Sequence, residues 1–103
     1  MSTAPTNTLI QILEAALDLI DTPGNDFTWS SWDDAAEARR EITACIQNLQ
    51  AGQRPEKEDI SVLFAPTGPL HELSLSSGWA DTFTKLASQY DKVEPLLWKP
   101  SED

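Results

Sequence analysis

The sequence predicts an all-α protein, a compact bundle of about four helices with an irregular Pro- and Gly-containing segment near residues 65–78. Apolar residues recur at three- and four-residue steps along most of the chain, which is the period of an amphipathic helix. Clusters of Pro and Gly separate these periodic segments. Residues 70–75 suit either a helical turn or a brief extended piece. The helical turn is favoured, because a lone strand would have no partner elsewhere in the chain.

The chain of 103 residues has the size of one domain. A chain of this size can bury enough surface to form a single core without disulfides or metals. Its hydrophobic fraction of 40% argues for a folded globule and against disorder. We therefore expect residues 1–103 to form one helical domain, with residues 1–7 and 100–103 loose at its ends.

The first two helices are predicted at residues 8–21 and at about residues 32–50. The first is followed by the turn sequence T-P-G-N. Ser30 or Ser31 suits the N-cap of the second helix, with an acidic residue three positions later to complete a capping arrangement. Gly52 suits the left-handed position that follows a helix end.

A third, shorter helix is predicted to open within residues 54–59. Pro55 suits its first position, and the acidic residues that follow suit the helix dipole. The last helix is predicted at about residues 79–91, and Pro95 is expected to stop it. The apolar segment 96–98 is then expected to fold back on the bundle.

The charge of the chain is strongly acidic, with 17 Asp and Glu against 7 Lys and Arg and a net charge of −10. Residues 1–38 carry acidic side chains and no Lys or Arg. Such a surface repels phosphate backbones and anionic lipids, so neither a direct nucleic-acid partner nor a membrane partner is expected. A basic protein partner would be attracted, and its association would be accelerated. The alternative is that the acidity serves only solubility.

The sequence also indicates the compartment and the absence of a cofactor. A single cysteine excludes an internal disulfide and a cysteine-based zinc cluster. The N-terminal segment lacks the basic start of a signal peptide, and polar residues interrupt its apolar run, so a cytoplasmic location is expected. No Gly-rich phosphate-binding loop is visible, and we predict no cofactor and no metal.

Two neighbouring tryptophans, Trp29 and Trp32, are candidates for partner binding, because Trp is enriched in binding hot spots. Trp is also a ready way to fill a small core. We expect Trp79 to lie in the core, and either Trp29 or Trp32 to be the exposed anchor.

Three carboxylates, Asp33, Glu37 and Glu41, follow one another at four-residue steps, which would place them along one helix face. Such a row could bind a divalent cation or serve acid/base chemistry. A solvated face, or a docking face for a basic partner, is favoured. Arg39 and Arg40 lie beside the row and would partly neutralise it.

The only histidine, His71, precedes Glu72 in the loop-rich segment and is the last candidate for partner binding. The pair could act as an acid and a base, but a lone His without a second ligand is a weak metal signal. A hydrogen-bonded or merely exposed His is the simpler interpretation. Cys45 lies on the apolar stripe of the second helix and is expected to be a small buried core residue rather than a nucleophile.

The block LFAPTGPLHELSLSSGW, followed by a helix with an aromatic stripe, resembles a pattern in small bacterial single-domain proteins without assigned activity. The resemblance covers residues 63–90, with the block itself as its core. It supplies no catalytic residues. It implies a bacterial, cytosolic protein of one domain.

The function that these observations favour is a non-enzymatic acidic interaction module. Its most concrete form is an immunity or antitoxin-like protein, or an inhibitor, that binds a basic partner. One alternative is a small homo-oligomeric structural protein, because Ile10, Leu19 and the tail 96–98 could be buried in a homodimer. The other is a hydrolase that uses His71 and nearby carboxylates, although a bundle with one His has few ways to build such a pocket.

Overall fold

The computed structural model describes residues 4–27, 32–53, 55–65 and 68–98. Within these ranges the chain forms five helices and no strand, so the predicted all-α bundle is confirmed. The helices are α1 (Pro5–Ile20), α2 (Ala35–Gln50), α3 (Lys57–Phe64), α4 (Pro69–Ser77) and α5 (Ala80–Leu97). None of them is long and apolar enough to cross a bilayer.

Helix α1 begins at Pro5, three residues before the predicted start, so part of the segment that was expected to be loose is helical. Proline suits this position because its fixed φ is helical and its missing N–H would have no partner there. The backbone N–H of Thr8 already donates to the carbonyl of Ala4 at 3.0 Å.

Helix α2 begins at Ala35 rather than at Trp32, because its cap lies further along the chain than predicted. The N-cap is Asp34, whose Oδ1 accepts a hydrogen bond from the backbone N–H of Glu37 at 2.9 Å. Glu37 Oε1 accepts in turn from the backbone N–H of Asp33 at 2.6 Å. This is a variant of the capping box. The predicted caps, Ser30 and Ser31, lie outside the described residues.

Helix α3 begins at Lys57, so Pro55 lies before the helix and not at its first position. Helix α4 occupies most of the segment predicted to be irregular, and the helical turn favoured for residues 70–75 is confirmed. Pro69 starts α4, and Gly78 ends it in the left-handed conformation, with φ of 88°. Such a φ is costly for any residue with a Cβ.

Helix α5 continues through Pro95 to Leu97, where the sequence predicted a stop. Proline removes one backbone hydrogen bond from a helix interior and normally kinks or ends the helix. Here packing holds the end of the helix, because Leu97 is buried. The indole N–H of Trp98 also donates to the carbonyl of Pro55 at 3.2 Å. The apolar tail therefore packs against the bundle through Leu97 and Trp98, as a helical extension, whereas Leu96 is 56% exposed.

Helix α1 packs against both α2 and α5, and α4 packs against both α3 and α5. One hydrophobic core joins the five helices. Ile10 and Leu19, which fall off the main apolar stripe of α1, are half-buried and pack against this core. Each fully buried aliphatic side chain contributes roughly 1.5–3 kcal/mol to folding.

The block LFAPTGPLHELSLSSGW ends in a corner that holds the connection between α1 and α2. Ser76 Oγ donates to the carbonyl of Asp26 at 2.8 Å, and the backbone N–H of Asp26 donates to Ser77 Oγ at 2.9 Å. The indole N–H of Trp79 donates to Asn25 Oδ1 at 2.9 Å. These contacts fasten the α4–α5 corner to the α1–α2 connection.

Candidate binding site

A groove of about 410 Å³ lies between α3, α4 and α5. This is within the roughly 300–1,000 Å³ that small-molecule sites occupy. Aromatic, small and acidic side chains line it, and His71 is the only lining residue of the described chain that can carry positive charge. The lining residues are Ser61, Phe64, Ala65, His71, Phe83, Thr84, Ala87, Ser88, Tyr90, Asp91 and Glu94.

The floor of the groove consists of paired aromatic rings. The rings of Phe64 and Tyr90 are stacked, with centroids 4.7 Å apart and planes 15° apart. The rings of His71 and Phe83 lie 5.4 Å apart with planes tilted by 30°. Phe64, Tyr90 and Phe83 are buried, whereas His71 is half-buried. The floor is therefore apolar and fixed by packing from three helices.

The acidic side of the groove is formed by one turn of α5. The hydroxyl of Tyr90 donates to Glu94 Oε2 at 2.8 Å, which fixes that carboxylate at the edge of the groove. Burial raises the pKa of the Tyr90 phenol far above its usual range, and the hydrogen bond to Glu94 and the charges of Glu94 and Asp91 raise it further. The phenol is thus a neutral donor under ordinary conditions. Asp91 lies one turn before Glu94 on the same face and is exposed.

Trp32 and Trp79, two of the tryptophans that the structure describes, differ in their environments. Trp32 is only 3% exposed and belongs to the core. Its indole N–H donates to Glu41 Oε1 at 2.9 Å, so the ring is fixed in place and is not available as an exposed anchor. Trp79 is half-buried and packs against the core, in line with its predicted role. Trp29, the other predicted anchor, lies outside the described residues.

The three carboxylates do not form the predicted row along one helix face. Asp33 precedes α2 and is exposed, because the helix begins only at Ala35. Glu37 accepts from the backbone of Asp33, and Glu41 accepts from Trp32. Glu37 and Glu41 therefore bind groups of their own chain, one at the helix start and one at a buried indole.

Arg39 does not neutralise these carboxylates as predicted, but pairs with Asp21 just after the end of α1. Its Nε donates to Asp21 Oδ1 at 3.1 Å. Both side chains are about half exposed, so the pair contributes at most about 1 kcal/mol. It brings the C-terminal end of α1 next to the first turns of α2.

Cys45 is half-buried rather than fully buried, and it packs against the core. Burial raises the pKa of its thiol, and the negative charges of Glu41 and Asp59 raise it further. A raised pKa keeps the sulfur protonated and weakly nucleophilic. This agrees with the expectation that Cys45 is not a reactive thiol.

Within the described ranges, no group of three or more His, Cys, Asp or Glu side chains is placed to hold a metal ion. The fold and the groove define a small all-α bundle with an acidic surface. Comparisons with models of protein families, with curated proteins and with solved structures find no match to this chain.

Sequence reasoning found one groove residue, His71, and missed the others. Tyr90 and Glu94 stand four positions apart, a spacing that allows contact on a helix. That signal was present in the sequence, but it does not show that α5 packs against α3 and α4. Of the candidates in the N-terminal half of the chain, Trp32, Asp33, Glu37 and Glu41 do not line this groove.

Proposed function

We propose that this chain is a non-enzymatic, cytoplasmic interaction module that binds a basic protein partner, with an antitoxin-like or inhibitory role as its most concrete form. The observation that carries the proposal is the placement of its charges. Every acidic side chain in the described ranges is exposed or half-buried, so the negative charge acts on the surrounding solvent. Buried carboxylates would instead have served the fold.

The acidic charge is concentrated where two helices meet. Helix α1 carries Glu14 and Asp18, both exposed, and no Lys or Arg. The Arg39–Asp21 pair holds the end of α1 against the first turns of α2. Asp33 and Asp34 precede α2 and are exposed as well. This end of the molecule presents a negative field of the kind that steers a positively charged partner.

The basic side chains of the described surface number five against fifteen acidic ones, and two of them stand in the first turns of α2, at the acidic end. The five are Arg39, Arg40, Lys57, Lys85 and Lys92. Only the Arg39–Asp21 ion pair forms among the described residues. Most carboxylates are therefore not neutralised by a basic side chain. Four of them, Asp34, Glu37, Glu41 and Glu94, accept hydrogen bonds from their own chain.

The experiment is an affinity capture from host lysate at low and at moderate salt, with the retained proteins identified by mass. We expect a basic protein to be retained at low salt. Its retention should be weaker at the higher salt, because screening shortens the reach of exposed charges. Two altered baits serve as a matched pair. Glu14→Gln, Asp18→Asn and Asp33→Asn neutralise the α1–α2 end. Glu56→Gln, Glu58→Gln and Asp81→Asn remove the same charge elsewhere.

The first bait is expected to retain less partner than the second. Equal retention by both baits would mean that only the overall charge matters. Retention of no basic protein at either salt would contradict the proposal.

A further inference from the structure

We propose that the groove between α3, α4 and α5 is a site for an arginine side chain presented by a basic partner. This inference rests on the proposed function, which it deepens by naming the site and the group that the site recognises. The described residues that line this groove all come from Ser61 onward, outside the acidic N-terminal half.

The charge of the groove selects a cation. Asp91 and Glu94 stand three positions apart on α5, which places neighbouring side chains about 5–6 Å apart at their Cβ atoms. No Lys or Arg lines the groove within the described part of the chain. Tyr90 occupies one oxygen of Glu94 and leaves the other oxygen for a ligand. Asp91 makes no hydrogen bond or ion pair among the described residues, so its carboxylate is free to bind.

The pair of carboxylates, Asp91 and Glu94, favours arginine over lysine. A guanidinium is a planar fork of five donors and can bridge two carboxylates, whereas an ammonium is a compact point charge. Hydrogen bonds between two charged groups are about twice as strong as neutral ones. The apolar part of the site, which includes Ala65 and Ala87, suits the aliphatic stem of a long side chain.

The groove is also preorganised, because contacts within the chain hold its side chains in place before a ligand binds. The stacked rings of Phe64 and Tyr90 fix the floor. The Tyr90 hydroxyl holds Glu94 in one orientation. Less side-chain freedom is therefore lost on binding than at a flexible surface carboxylate. The exposed acids Glu14 and Asp18 of α1 share this charge, but they line neither this groove nor the smaller one beside the start of α1.

The probe is the acetylated and amidated peptide Gly-Arg-Arg-Arg-Gly, with Gly-Lys-Lys-Lys-Gly of the same charge as its control. Binding to the full chain is followed by two-dimensional amide NMR, which reports both the affinity and the residues affected. We expect the shift changes to concentrate at His71, Asp91 and Glu94. The lysine peptide is expected to bind several-fold more weakly.

The matched variants are Asp91→Asn with Glu94→Gln, and Glu14→Gln with Asp18→Asn. Each pair removes the same charge. The amide oxygen that Glu94→Gln introduces can still accept from the Tyr90 hydroxyl, so the fold is preserved, and thermal unfolding checks this. We expect the groove pair to weaken the arginine peptide about tenfold, as for the loss of a charge-assisted hydrogen bond. The α1 pair should weaken it less than about twofold.

Equal weakening by the two pairs, shifts spread over α1, or no binding of the arginine peptide would overturn the arginine site. The proposed function has a separate outcome. A captured basic partner that keeps its affinity for the groove variant would leave the interaction module in place and remove only the groove.

Discussion

The indole N–H of Trp79 donates a hydrogen bond to Asn25 Oδ1 at 2.9 Å, across 54 positions of the sequence. The amide nitrogen of the same Asn25 donates to the carbonyls of Leu19 at 2.7 Å and Ile20 at 3.0 Å. These carbonyls lie in the last turn of α1, where the regular helical donors run out. The Leu19 carbonyl also accepts from the backbone N–H of Thr22 at 3.2 Å. One side chain therefore caps α1 and fastens it to the start of α5.

Replacement of Asn25 by Ala should lower the free energy of unfolding by about 2–3 kcal/mol, because three hydrogen bonds of about 1 kcal/mol each are lost. Urea unfolding measures the change. Trp79→Phe removes only the indole donor and should cost less. The two substitutions should be less than additive, since they share one bond. An Asn25→Ala variant within about 0.5 kcal/mol of the parent would contradict the role of Asn25 as a cap.

Glu41 is predicted to act through Trp32 rather than as a free surface charge. Glu41→Ala should lower the free energy of unfolding by about 1 kcal/mol, because the hydrogen bond of 2.9 Å between the Trp32 indole and Glu41 is lost. Glu41→Gln keeps an acceptor oxygen and should lie within about 0.5 kcal/mol of the parent. The same urea titrations compare them. If Ala and Gln were equally tolerated, the carboxylate would have no structural role.

Gly68 is predicted to be the least replaceable glycine. A Cβ at this position would clash with the backbone oxygen of Val62 and would lie 3.0 Å from that of Ala65. Backbone atoms cannot rotate away, so Gly68→Ala should cost about 2–3 kcal/mol. Gly52→Ala is the control, because Gly52 has φ of 84° with open space around it and should cost about 1 kcal/mol. Thermal unfolding measures the stability of both variants. A smaller loss of stability in Gly68→Ala than in Gly52→Ala would contradict the close approach of Gly68 to the backbone of Val62.

The phenol of Tyr90 is predicted to make the folded state less stable at alkaline pH. The unfolded phenol loses its proton near pH 10.0, whereas burial raises the pKa of the folded phenol above that value. Above about pH 10 the unfolded state binds fewer protons than the folded state, so stability falls as pH rises. Below pH 10 the phenol is protonated in both states, and the stabilising contribution of Tyr90 is fully present.

The chain has a single Tyr, so phenolate absorbance near 295 nm reports Tyr90 alone. We expect the absorbance to rise only as the chain unfolds. Tyr90→Phe should flatten the loss of stability above pH 10 and should cost about 1 kcal/mol at neutral pH, because the bond to Glu94 is lost. Titration of the phenol near pH 10 in the folded chain would contradict the prediction.

The fold was predictable from the sequence where a local signal, either an apolar period or a single glycine, decides the backbone conformation. The apolar periods predicted the helices, and Gly52 adopts the left-handed conformation expected of it. The ends were less predictable. Asp34 caps α2 where Ser30 or Ser31 was expected, because several nearby residues have capping side chains and only the tertiary structure selects one.

The C-terminal end of α5 was also poorly predicted by local sequence signals. Pro95 is a strong stop signal, but Leu97 and Trp98 gain packing and a hydrogen bond only if the helix continues. Packing then outweighs the local preference. No local pattern reports such a gain, since Trp98 contacts Pro55, which is 43 positions away.

The candidate site was the least predictable part. Trp32 and Glu41 stood out in the sequence as separate candidates, yet they bind each other and stabilise the fold. The groove depends on Phe64, His71 and Tyr90 from three different helices. Ordinary core patterns account for Phe64 and Tyr90, and nothing in their spacing marks the groove beside them.

The central claim is that the acidic surface exists to bind a basic partner, and the rate of association tests it most directly. Stopped-flow mixing of this chain with the captured partner should be repeated from low to moderate salt. We predict an association rate that falls about tenfold or more as salt rises, with a much smaller change in the dissociation rate. An association rate independent of salt would contradict the claim.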